Sequence, residues 1–107
     1  MYETYSAFKS YGDFYSFVNR LHININNSRA NVGKAEREYQ ECVKNEGYSI
    51  HKSSILLDTL WRERFVLQAL EEIETVLFSS LSEDAKNEMD RICKETDYHL
   101  ESVRKAG

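Results

Sequence analysis

From Phe14 to Cys42 the residues Phe14, Val18, Leu21, Ile25, Ser28, Val32, Ala35, Tyr39 and Cys42 recur at alternating steps of four and three. A spacing that averages 3.5 keeps one side of an α-helix apolar through several turns, so the pattern predicts a first helix over about residues 8–46. At 1.5 Å of rise per residue the stretch from about residue 12 to 46 is on the order of 50 Å long. Leu21-His22-Ile23-Asn24-Ile25-Asn26 also alternates as a strand would, and Asn26-Asn27-Ser28 could make a turn or start a helix. A break there gives no reason for the four-three phase to continue on both sides, which favours one uninterrupted helix.

The pattern next fails at Lys44-Asn45-Glu46-Gly47-Tyr48-Ser49, where Gly47 suits a left-handed helix C-cap and marks a turn. A second helix is predicted over about residues 53–80. Leu56, Leu60, Leu67, Leu70, Leu77 and Leu81 form its stripe, with Glu63 and Glu74 as the heptad positions that are not apolar. Trp61, Val66, Ile73 and Val76 widen the stripe, so this helix is expected to face two neighbours as the centre of a bundle. Leu81-Ser82-Glu83-Asp84 reads as a third start, with Ser82 as N-cap and two acids beside the positive end of the helix dipole. Ala85, Met89, Ile92, Thr96, His99 and Val103 continue the spacing over about residues 82–105, with fraying expected near Arg104.

Proline, the strongest interrupter of a helix, is absent from all 107 residues. With short connections, consecutive helices must run antiparallel. The expected fold is therefore all-α: a single domain over residues 1–107, an elongated up-down-up three-helix bundle with coiled-coil-like packing and a long first helix.

Composition narrows the function more by exclusion than by indication. The net charge is -4, with the acidic excess spread along the chain, so no overall positive field exists to hold nucleic acid or an anionic membrane. The start MYETYSAFKSYGD lacks a basic region followed by an apolar run, and no stretch reaches about 18 apolar residues, so neither a leader nor a membrane span is expected. Cys42 and Cys93 have no CxxC spacing, which points to reduced, largely buried thiols and a cytoplasmic setting.

No motif asks for catalysis or a cofactor. Phosphate-binding glycine loops and the nucleophile elbow are absent, and His22, His51, His99 and the cysteines have no metal-ligand spacing. The expectation is no catalytic residue, no metal and no cofactor. Arg62 and Arg64 beside Trp61 make the densest basic and aromatic cluster, but acidic residues surround it on the same helix, which reads as a solvated face.

The least ordinary feature is the start of the chain, where Tyr2, Tyr5, Phe8, Tyr11, Phe14 and Phe17 recur at every third position and Tyr15 adds another ring. A step of three drifts by about 60° against the helical period, so these rings wind around the helix and cannot share one seam. They either fold over the end of the bundle as a plug or dock another chain, and tyrosine favours the second because it supplies rigid apolar area with a polar tip. Asn24, Asn26, Asn27, Ser28 and Asn31 place a polar layer beside them. These features predict a non-enzymatic protein-protein interaction module (adaptor, assembly subunit or inhibitor), whose partner is another protein or a second copy in a homo-oligomer. Tyr2, Tyr5, Phe8, Tyr11, Tyr15, Asn24 and Asn31 are the expected contacts. The rival reading is a small enzyme or ligand or metal binder with a site between helices around His99 and Cys93.

Overall fold

The computed structural model describes residues 8–45 and 49–106. They form three α-helices: α1 (Tyr11–Lys44), α2 (Ile50–Ser80) and α3 (Glu83–Ala106). The fold is the all-α three-helix bundle expected from the periodicity. The proposed strand at residues 21–26 lies inside α1, which is uninterrupted. Gly47 lies outside the described residues.

Each helix starts on a serine that stands in for the missing intrahelical acceptor. Ser10 Oγ accepts from the Asp13 amide at 3.2 Å, Ser49 Oγ from the Lys52 amide at 3.3 Å, and Ser82 Oγ from the Ala85 amide at 3.3 Å. Of these only Ser82 was expected, so two boundaries need correction. α1 begins at Tyr11 and not near residue 8, and α2 begins at Ile50 and not at Ser53. α3 runs through Ala106 and past Arg104, with Arg104 and Lys105 complementing the negative end of its dipole.

The chain forms two compact units, residues 1–24 with 73–107, and residues 25–72. In the first, α3 runs parallel to the start of α1: Tyr11 bonds Glu88 and Asn19 bonds Thr96, both across 77 positions of sequence. A constant offset of this kind arises only when two helices point the same way. Phe14, Val18, Met89 and Ile92 make the buried core, with Phe8, Tyr15, Leu77, Leu81 and Cys93 packed against it. In the second unit the ion pairs Arg29–Glu71 (3.2 Å) and Arg64–Glu36 (3.3 Å) advance along α1 while retreating along α2, the signature of an antiparallel pair.

The heptad stripe of α1 is the buried side of that helix. Phe14, Val18, Leu21, Ile25, Ser28, Ala35 and Cys42 are buried, and Val32 and Tyr39 are half-buried. The stripe of α3 is buried from Ala85 to Thr96, but its continuation at His99 and Val103 is exposed, against expectation. α2 departs further. Its leucine stripe is half-buried, with Leu60 as the one buried residue of the helix, and Trp61, Val66, Ile73 and Val76 are exposed where a second neighbour was expected to cover them. Among the described residues no helix is long and apolar enough to cross a membrane.

Candidate functional site

Of the aromatic residues expected to dock a partner, Tyr2 and Tyr5 lie outside the described residues. Phe8 is half-buried, edge-on to Phe14 at 5.3 Å between ring centroids, and Tyr15 packs against the same core. Tyr11 is exposed at 40% but its hydroxyl is engaged, donating to Glu88 Oε2 at 2.7 Å and accepting from Arg91 Nη2 at 2.6 Å. Asn24 and Asn31 are exposed. An asparagine of α1 that does bond another helix is Asn19, whose Oδ1 accepts from the buried Thr96 hydroxyl at 2.7 Å.

The larger apolar surface lies on the outer side of α2. Within the second unit Ile55, Trp61, Phe65 and Val66 are 53%, 52%, 70% and 51% exposed. At 100° per residue Trp61 and Phe65 fall on the side of the helix away from Leu56, Leu60, Leu67 and Leu70, with the exposed Ala69 and the charged Asp58, Arg62 and Glu72 near them, while Ile55 and Val66 lie on the flank next to Leu70. A helix whose apolar residues are spread all round normally has neighbours on both sides. Arg64 stacks its guanidinium over Trp61, 5.5 Å from the ring centroid, which holds the indole in place at the surface.

A second constellation sits within the first unit. His22 on α1, Glu74 near the end of α2 and Cys93 in the middle of α3 bring one ligand atom each to within 4.8 Å of one another. The sequence reading paired Cys93 with His99, but His99 is exposed and His22 takes its place. His22 Nε2 lies 2.7 Å from Asp97 Oδ1. A carboxylate only accepts, so Nε2 carries the hydrogen, and in the neutral ring the lone pair belongs to Nδ1. That Nδ1 is buried and has no hydrogen-bond partner among the described residues, the nearest acid being Glu74 Oε2 at 3.9 Å.

Cys93 is half-buried and free, and burial, followed by the charges of Glu74, Asp97 and Asp90, pushes its thiol up to about 11. Without a compensating cation the thiol is therefore held protonated, the opposite of an activated nucleophile. All three ligand residues line an open cavity of about 350 Å³, together with Thr75, Phe78 and Met89. By ligand type the cluster can hold a borderline-soft divalent ion.

One trace of this site is visible in the sequence. Glu74 is, with Glu63, one of two acids on a leucine-lined stripe, a position that folding brings against neighbouring helices. His22 and Cys93 each sit one residue beyond a stripe position, next to Leu21 and Ile92, and nothing in their own spacing links them. No protein-family model, curated protein or solved structure matches this chain, so the candidate site rests on its own geometry.

Proposed function

We propose that the protein is a non-enzymatic helical interaction module that assembles with a second copy of itself through the outer face of α2. The observation that carries this reading is the uncovered set Ile55, Trp61, Phe65 and Val66 on a helix with one fully buried residue. Exposed apolar area of this kind, interrupted by a few charges, is the usual anatomy of a docking surface, and tryptophan, which it contains, is among the residues most enriched at binding anchors.

The arrangement of charge and size on this face favours self-association. In an antiparallel pairing of two α2 helices, the register that sets Arg62 beside Glu72 of the second copy also sets Phe65 over the small Ala69 of that copy. A two-fold axis makes both contacts twice. The same face offers a wedge, a notch and charges of both signs, so it is complementary to itself. The expected role is assembly.

Sedimentation velocity over a range of concentrations tests this. A dimer should form and dissociate on dilution, and Phe65→Glu should leave a helical monomer. Arg62→Glu should weaken the dimer and Glu72→Arg, added to it, should restore it. A monomer at every concentration, or a dimer indifferent to Phe65→Glu, overturns the reading.

A further inference from the structure

The structure assigns a second property to the chain: His22, Glu74 and Cys93 form a binding site for one zinc-type divalent metal ion, with Asp97 as the carboxylate that orients the imidazole. The argument begins with His22. Its ring is fixed from one side by Asp97 at 2.7 Å, and in the neutral ring this leaves Nδ1 as the acceptor. A buried acceptor without a donor is unfavourable and calls for a partner. No donor faces Nδ1 from Glu74, whose Oε2 stands at 3.9 Å. Two electron-pair donors aimed at the same small volume repel each other unless a proton or a metal cation lies between them.

Distance and chemistry agree with a metal. Bonds of about 2.0–2.3 Å in a tetrahedral zinc site set ligand atoms about 3.3–3.8 Å apart. The His22–Glu74 separation of 3.9 Å and the 4.8 Å limit for the whole set are within a small side-chain rotation of that geometry. A nitrogen, an oxygen and a sulfur donor are a zinc-type set. Calcium and magnesium take oxygen ligands alone and would not recruit the thiol. The hydrogen bond from the far ring nitrogen to a carboxylate is the outer-shell arrangement that metal-bound histidines use to fix their tautomer. Glu74 and Asp90 line the same cavity as the thiol and Asp97 bonds the imidazole beside it, so the site carries negative charge that draws a cation.

Three protein ligands leave one tetrahedral position. Since His22, Glu74 and Cys93 all line the cavity shared with Thr75 and Ser79, that position is open to water or to a donor atom of a small molecule. The ligands come from all three helices of the first unit, so the ion would tie α1, α2 and α3 together and raise thermal stability with metal concentration.

The test is an anaerobic titration of the full, reduced chain with Co²⁺, followed by Zn²⁺. One Co²⁺ per chain is expected, with a thiolate-to-cobalt charge-transfer band and the intense visible bands of a four-coordinate ion, and Zn²⁺ should displace it. Cys93→Ala should abolish the charge-transfer band and Cys42→Ala should retain it. Asp97→Asn should weaken affinity by about 10–100-fold while keeping the spectrum, because it orients a ligand without being one. X-ray absorption at the zinc edge of the wild-type chain provides a reading that depends on no variant: one sulfur with nitrogen and oxygen neighbours supports the site. No saturable binding, a charge-transfer band that survives Cys93→Ala, or a zinc shell without sulfur overturns it.

Discussion

Arg91 Nη2 lies 2.6 Å from the Tyr11 hydroxyl, 80 positions away in the chain, and ties the first turn of α1 to α3. The hydroxyl also donates to Glu88 Oε2 at 2.7 Å, so a phenol, a carboxylate and a guanidinium share one exposed corner of the first unit.

This corner should give a stability difference that depends on pH in both directions. The hydrogen bond to Glu88, then burial and the Glu88 charge, raise Tyr11 above 10.0, so its contribution is complete below 10.0 and is lost as pH climbs through the raised value. Hydrogen bonds from Arg91 and then Tyr11 lower Glu88 below 4.5, so its contribution is complete above 4.5 and is lost as pH falls through the lowered value. Thermal melts of wild type and Tyr11→Phe should differ most between those limits and converge at both extremes. A difference that does not vary with pH would show that the ring's packing, and not its hydroxyl, carries the effect.

Burial separates two phenylalanines that look alike in composition. Phe14 is 0% exposed and Phe65 is 70% exposed. Phe14→Ala should destabilise by about 3–5 kcal/mol through lost burial and an unfilled cavity. Phe65→Ala in dilute protein should stay within about 0.5 kcal/mol of wild type. Chemical denaturation of both variants checks this contrast.

Ser28 occupies a stripe position of α1, is 4% exposed, and its Oγ has no hydrogen-bond partner among the described residues. Replacing it by alanine removes an unsatisfied hydroxyl and improves helix propensity. Ser28→Ala should raise the unfolding free energy by about 1 kcal/mol. A loss in urea titration would show that the hydroxyl has a role in the fold.

Gly33 lies inside α1, and a methyl group built there would meet nothing closer than the flexible Arg37 guanidinium at 3.5 Å. Gly33→Ala should therefore stabilise by about 0.5–1 kcal/mol, by restricting the unfolded chain. An unchanged denaturation midpoint would count against free space at that position.

The cap of α3 should be sensitive in the other direction. Ser82→Ala removes the acceptor for the Ala85 amide and should cost about 0.5–2 kcal/mol, whereas Ser82→Asp should keep the cap. Equal denaturation midpoints for the two variants would remove the cap from the account of why α3 starts there.

Much of the fold is determined by sequence alone, because the forces that set it act over one or two turns. The stripe from Phe14 to Cys42 identified the covered side of α1 residue by residue, since helical geometry brings positions three and four apart to one face. Ser82 marked the start of α3, and Ser10 and Ser49 carry the same local signal for α1 and α2. On α2 the sequence offers apolar residues on two sides and does not choose between them. Packing chose the leucine side and left Trp61 and Phe65 exposed. The meeting of His22, Glu74, Cys93 and Asp97 depends on the axial register between helices. A slide of one turn, about 5.4 Å, would leave the apolar stripes facing one another and still separate these four side chains. Hydrophobic burial is non-directional and tolerates such a slide, so the stripes fix which faces meet. Only the three-dimensional packing, with its Tyr11–Glu88 and Asn19–Thr96 contacts, decides where along those faces the four chemical groups come together.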